Sequence, residues 1–256
     1  MNAWRTQLVA LILAAGLGTV YCLTLPPGPT WGDGLEFASV VHGLGIPHPT
    51  GYPLYVMLGK VWELAFPLRD AAWRLSVLSV VYGVLAALLL FGAVREAIPE
   101  GEEWEDVPQV HHWRRVLIPA GTAMAWGLTP AVWQVANIAE VYTLFAVFLH
   151  GLTWLMLKNM RLGWRRLDLL IAFIFGLSLT HHGLIAVLIP AVVGYYIFRL
   201  RRLVAERSSG RAVARSDDLT NRSLALWLVC CGLLFLVGLT PILYLPVRAA
   251  MHPVIN

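Results

Sequence analysis

Long apolar blocks separated by short polar ones dominate this chain. The apolar stretches fall near 8–25, 75–94, 116–133, 135–157, 169–181, 183–198 and 224–246. Several approach the length of a bilayer-crossing helix, so the pattern predicts an all-α integral membrane protein with about seven transmembrane helices. The block from Leu169 to Phe198 could form one very long helix or two short ones. Lys158, Arg161, Arg165 and Arg166 precede it, and Arg199, Arg201, Arg202 and Arg207 follow it. Basic loops stay in the cytoplasm, so both flanks belong on one side and the block must cross twice. The same reasoning splits 116–157 near Thr129 and Pro130. With Arg5 inside, all 19 lysines and arginines except Lys60, Arg69, Arg74 and Arg248 are cytoplasmic.

Composition agrees with the blocks. The 256 residues are 58% hydrophobic and 13% charged, with a mean hydropathy of +0.68, more apolar surface than a water-soluble core absorbs. The net charge of +4 excludes little by itself. Because the basic residues lie between apolar runs, they read as topology signals and not as a nucleic-acid surface. Cys22, Cys230 and Cys231 sit inside apolar runs without CxxC spacing, so neither a disulfide nor a zinc site is expected. The apolar run after Arg5 is long for a signal peptide and reads as an uncleaved first helix. Residues 95–115, with Glu100, Glu102, Glu103, Glu105 and Asp106, and residues 199–223 read as cytoplasmic linkers. His111 and His112 are adjacent, off any helical ligand spacing, and make a poor metal argument. The whole of 1–256 reads as a single transmembrane domain.

Residues 26–74 form the one long external loop, and it carries amphipathic helices of its own. After Pro26, Pro27 and Pro29, the apolar positions Phe37, Val40, Val41 and Leu44 follow i, i+3, i+4, i+7. Asp33 and Glu36 extend that stripe by one turn, so two carboxylates project from the head of a helix. The alternative reading is a capping arrangement with Asp33 as N-cap and Glu36 reaching back to the backbone. Next comes IPHPTGYPLY, in which Pro47, Pro49 and Pro53 fix the backbone, Gly51 permits a tight turn, and His48 is held extended. Tyr52 and Tyr55 suit an interfacial aromatic belt. A helix near 53–66 then places Leu54, Met57, Leu58, Val61 and Ala65 on one face and Lys60 and Glu63 on the other, as in a helix lying in the membrane interface.

The remaining rare polar residues gather on the same external face. Glu140, beside Asn137, lies inside the fourth expected span near its outer end, where an ionisable group suggests function or an internal hydrogen bond. His181 and His182 occupy the outer turn between the fifth and sixth spans. Arg248 follows the last span, and its guanidinium suits a phosphate. Carboxylates, imidazoles and a guanidinium at a membrane surface suit chemistry on a lipid phosphate: a cation for the head group, a carboxylate base for an acceptor hydroxyl, interface helices for a polyprenyl tail.

The strings DGLEF, LGIPHPTGYPLYVMLGKVWELAFP and RLSVLSVVYG, with AVWQVANIAEVYTL, FIFGLSLTHHGL and YLPVRAAMHPVIN later, resemble a membrane family long catalogued as a domain of unknown function. That family includes the eukaryotic transmembrane protein O-mannosyltransferase. The resemblance implies a GT-C glycosyltransferase architecture and an inverting transfer of mannose or a similar hexose from a polyprenyl-phosphate donor. The acceptor would be a hydroxyl on a protein or glycan, and neither metal nor cofactor is implied. It makes Asp33 the base and Glu36 its support. His48, Tyr52, His181, His182 and Arg248 become donor contacts, and Glu140 positions the acceptor or a loop. Relatives continue beyond Asn256, so a C-terminally truncated, split or minimal enzyme is expected. The setting would be a bacterial plasma membrane with the active face non-cytoplasmic. The rival readings are a polytopic transporter or lipid flippase and a non-catalytic membrane subunit. A transporter would place its polar groups near the bilayer midplane and show repeats, which this sequence lacks.

Overall fold

The computed structural model describes residues 3–30, 32–99, 108–208 and 221–255. Every regular element among them is helical: α1 (Ala3–Leu23), α2 (Asp33–Gly43), α3 (Pro53–Ala65), α4 (Ala71–Ala97), α5 (Pro108–Gly127), α6 (Pro130–Ala136), α7 (Tyr142–Leu162), α8 (Arg165–Leu179), α9 (Ile189–Ser208), α10 (Asn221–Gly238) and α11 (Tyr244–Ala250). Short 3-10 turns, Gly183–Leu188 and Thr240–Leu243, lead into α9 and α11. The acidic linker from Glu100 to Asp106, the side chains of His111, His112 and Arg207, and Arg211 lie outside the described residues.

The expectation of seven spans is overturned. Among the described residues four helices are long and apolar enough to cross a membrane: Trp4–Leu23, Ala71–Ala97, Gly183–Glu206 and Arg222–Ala250. A fifth counts only if Trp113–Gly127 and Pro130–Ala136, bent by 69° at the break between them, form one broken span. The break has a plain cause. Pro130 cannot donate to the preceding turn, so the helix ends and restarts with Pro130 at its head. The stretch expected at 135–157 begins later, at Tyr142, because 137–141 is not helical. Its helix, α7, carries His150, Lys158, Asn159 and Arg161, which dilute its apolar length. The stretch expected at 169–181 is α8, whose 15 residues reach only about 22 Å at 1.5 Å per residue, short of the roughly 30 Å hydrocarbon core. These four helices make the chain an integral, multi-pass membrane protein.

α4 and α7 form the most extensive helix pair, and α1 and α5 pack beside α4. α8 and α10 approach so closely that a Cβ on Gly176 would collide with the Phe235 carbonyl. The principal core joins Phe37, Val40 and Val41 of α2 to Leu54, Tyr55 and Val56 of α3 and to Leu75, Leu144, Leu152 and Ile171 of α4, α7 and α8. The i, i+3, i+4 stripe of α2 is therefore the surface that seats the loop helices on the bundle.

The two ends of the bundle differ in chemistry. At one end Arg161 pairs with Glu96 at 2.5 Å, Arg115 donates to the Arg95 carbonyl, and Arg202 donates to the Met160 carbonyl. Arg199 and Asp168 are buried there as an ion pair, Nε to Oδ1 2.9 Å, which Asn159 and Tyr195 complete. At the opposite end lie α2, α3 and the connections 44–52, 137–141 and 180–182.

Candidate functional site

The site is built on the first turn of α2. Gly32 is its N-cap, and no side chain caps the helix. The capping alternative is thus not what the two acids do. Glu36 instead turns across to the 44–52 connection and grips His48 twice. Its Oε1 accepts the His48 backbone N–H at 2.7 Å, and its Oε2 lies 2.8 Å from ring Nδ1. A carboxylate can only accept, so Nδ1 carries a proton, and in the neutral ring Nε2 keeps its lone pair. That nitrogen faces Asp33 Oδ2 at 4.0 Å and the Tyr52 hydroxyl at 3.4 Å. Asp33 stands more than half exposed, with its carboxylate free of any cap.

The proline-rich connection supplies the geometry. Gly51 N–H closes a turn onto the His48 carbonyl at 3.0 Å. Tyr52 adopts φ +39°, a left-handed conformation rare for a bulky residue, and Pro53 starts α3 immediately after it. This conformation turns the Tyr52 phenol back over the loop, edge-on to His48 and Phe37 and 5.3 Å from the His182 ring centre. Burial, then Tyr142 and Asp33, push the Tyr52 hydroxyl pKa up, so it is a hydrogen-bond donor.

The second wall comes from the later segments. His182 packs against Tyr52, Tyr142 and Phe145. Its Nδ1 accepts the Leu184 N–H at 3.1 Å, so Nε2 bears the proton, and burial lowers its pKa. His181 lies behind the site, almost fully buried between Tyr55 and Phe148. Its Nε2 donates to the Val141 carbonyl at 2.9 Å, and burial drives its pKa down to about 3. It acts as a neutral brace. Glu140 lies outside any helix, and burial followed by Asp33 raises its pKa.

Arg248 does not join this cluster. Its Nε donates to the Leu44 carbonyl and its Nη2 to the Gly43 carbonyl, closing the C-terminus of α2. Asp33 and Gly43 are the first and last residues of that helix, about 15 Å apart at 1.5 Å per residue. The structure thus gathers Asp33, Glu36, His48, Tyr52, His182 and Glu140, places His181 behind them, and sets Arg248 apart. Asp33, Glu36 and His48 each offer one ligand atom within 4.8 Å of the others.

The similarity to known proteins bears on these same residues. The family described as "Protein O-mannosyl-transferase TMEM260 N-terminal domain" matches residues 33–206, starting at Asp33 itself. The chain belongs to that family. Within the TMEM260 N-terminal domain family, it is 29% identical to the Mus musculus protein named "Protein O-mannosyl-transferase TMEM260" over 255 residues, 96% of this chain and 31% of the relative. It is 27% identical to the Dictyostelium discoideum protein of the same name over 187 residues, 67% of this chain and 21% of the relative. The chain therefore spans less than a third of the length of these TMEM260 relatives. No solved structure matches it.

Sequence reasoning missed two groups. Tyr142 and Phe145, which wall His182, looked like ordinary apolar positions of a span. Glu63 was assigned to the polar face of an interfacial helix, yet it is buried. His42 Nδ1, Lys60 Nζ and Arg74 surround it at 2.5, 3.0 and 3.2 Å. The opposed apolar positions Met57 and Val61 are exposed instead. The signal in the sequence was an acid within reach of three basic side chains, His42, Lys60 and Arg74, one each on α2, α3 and α4.

Proposed function

We propose that this chain carries the catalytic site of a membrane glycosyltransferase. It moves a hexose such as mannose from a polyprenyl-phosphate donor to a hydroxyl acceptor on a protein or glycan, with inversion, at the non-cytoplasmic face. The observation that carries the reading is the triad of Asp33, His48 and Glu36. An exposed carboxylate faces imidazole Nε2, and a second carboxylate holds the proton on Nδ1. Asp33 takes the proton of the acceptor hydroxyl as that oxygen attacks the anomeric carbon, and the neutral Nε2–H of His182 is a donor for sugar or phosphate oxygens.

Two features support a lipid-linked donor at this face. An apolar cavity of about 310 Å³ begins at Tyr142 and Phe145, beside His182, and continues past Leu149 and Trp126, so a hydrocarbon chain could lie beside the polar end. The arginines of the opposite end, Arg95, Arg115, Arg161, Arg199 and Arg202, fit the cytoplasmic side. The polar groups sit at one end of the bundle and not at its middle, which argues against a transporter.

The test is turnover of labelled polyprenyl-phosphate sugars by the purified chain in lipid nanodiscs with hydroxyl acceptors. Asp33→Asn should lower kcat about 10²- to 10⁴-fold with donor binding retained. Equal turnover by both proteins would remove Asp33 from the base role.

A further inference from the structure

Glu140 lies near enough to Asp33 for their charges to interact, in a stretch that several elements hold in place. The Asn137 amide meets Thr24 Oγ1 at 2.7 Å. Ala139 backs onto α2 at Gly34, where a Cβ would come within 3.5 Å of the Ala139 carbonyl oxygen. Glu140 N–H donates to Ser79 Oγ of α4 at 3.4 Å, and the Val141 carbonyl accepts from His181. Glu140 is thereby fixed one residue beyond the contact that Gly34, next to Asp33, makes. Its Oε2 is buried without a hydrogen-bond partner, and so is the hydroxyl of Tyr55, a residue 1% exposed. The titratable groups that face it are Asp33 on α2, His48 and Tyr52 in the connection, and Tyr55 on α3.

The cations of this end are engaged elsewhere. Lys60 and Arg74 close on Glu63, Arg69 lies over the Trp73 ring at 4.9 Å, and Arg248 closes α2. An anionic leaving group therefore meets imidazoles, phenols and Glu140, with no described lysine or arginine free to neutralise it.

We propose that Glu140 works as an undissociated acid, giving its proton to the phosphate oxygen that leaves the sugar while Asp33 takes the proton of the acceptor hydroxyl. The inference rests on the glycosyl-phosphate reading above. The acceptor O–H bond breaks and its oxygen bonds to the anomeric carbon. The sugar–phosphate C–O bond breaks with its electron pair on the phosphate oxygen, and Glu140 protonates that oxygen. The proton held by Asp33 then passes to Glu140 and resets both groups, so the acceptor's proton ends on the phosphate. Two carboxylates in one site are suited to this division when burial and mutual repulsion push their affinities for protons apart.

Two measurements on the full chain in nanodiscs test it. The first is independent of turnover: infrared difference spectra of wild type against Glu140→Gln, titrated with pH. The carbonyl band of an undissociated acid assigned to Glu140 should persist above the ordinary carboxylate range. A band that titrates within that range overturns the proposal, whichever donor the protein uses or refuses. The second is the pH profile of kcat. Because the acid must be protonated, wild-type rate should fall as pH rises through the Glu140 pKa. Glu140→Gln, which keeps the shape of the neutral acid, should hold the donor KM within about twofold while lowering kcat about 10²- to 10⁴-fold and removing that alkaline fall. A Glu140→Gln protein with wild-type kcat, or with the alkaline fall intact, refutes it. Glu140→Asp, with an unchanged elution volume, controls for misfolding. If wild type turns over no polyprenyl-phosphate sugar, the glycosyl-transfer reading fails and the infrared titration alone reports on Glu140.

Discussion

Replacing Glu36 with glutamine separates its role from that of Asp33. Glu36 holds His48 by two bonds, backbone N–H at 2.7 Å and ring Nδ1 at 2.8 Å. A glutamine keeps one of them, because its carbonyl can still accept the backbone N–H. Its NH₂ must then point at Nδ1, which can receive it only by giving up its proton, and the ring proton moves to Nε2. The nitrogen that faces Asp33 becomes a donor, and its N–H then engages the carboxylate that is to take the acceptor's proton. The stability cost is modest: one charge-assisted bond becomes a neutral one, about 1 kcal/mol at a residue about one-third exposed. For a chain of this size that lowers Tm by about 2–4 °C. The catalytic cost should be far larger, about 10²- to 10⁴-fold in kcat, as expected when a histidine is locked in the wrong tautomer. The assay is initial rate against pH for wild type, Glu36→Gln and Glu36→Ala, each checked by thermal unfolding in the same nanodiscs. A Glu36→Gln protein within a few-fold of wild-type kcat would refute the tautomer argument. A drop in kcat matched by loss of folded protein would reduce Glu36 to a structural strut.

Three further outcomes follow from the packing. Asp168→Asn leaves the buried Arg199 guanidinium without its counter-charge, and should cost about 3–5 kcal/mol in unfolding measured by tryptophan fluorescence in mixed micelles; a loss under 1 kcal/mol would mean the pair is dispensable. Burial alone would raise the Glu63 pKa, but the bonds from His42 and Lys60 outweigh it and hold it below its ordinary 4.5. The stabilisation is therefore present above that value and lost as pH falls through the lower one, so the Tm gap between wild type and Glu63→Gln should hold at neutral pH and close on acidification. Arg248→Ala should destabilise by about 1–2 kcal/mol through the lost α2 closure and leave the donor KM unchanged within about twofold; a large rise in KM at unchanged Tm would return Arg248 to the phosphate.

Local pattern made the loop helices legible. The stripe Phe37, Val40 and Val41 is fully buried, and the helix expected near 53–66 runs over Pro53–Ala65, because a periodic apolar face and a proline start are encoded within a dozen residues. The spans were less legible because apolar blocks do not reveal where a helix stops. Pro130 bends one block, the non-helical 137–141 delays the next, and α8 is too short. Those same breaks misplaced Glu140, which belongs to a connection and not to a span. The pairing of Glu36 with His48 was invisible for another reason: the residues are 12 apart, and a long-range contact through an irregular loop has no period. Arg248 shows the converse case. Its place in the sequence suggested an outward-facing cation, but open carbonyls at the end of α2 claimed it.

Asp33 and Glu140 come from segments more than a hundred positions apart, and those segments meet beside a missing side chain: a methyl group at residue 34 would crowd Thr30 Oγ1 at 3.2 Å and reach van der Waals contact with the Ala139 carbonyl oxygen at 3.5 Å. The wall behind both carboxylates is thus closed at a glycine, where the head of α2 lies against the 137–141 connection. The aromatic rings around the opening, Tyr52, Tyr142 and Phe145, can therefore vary without moving this junction of the two segments.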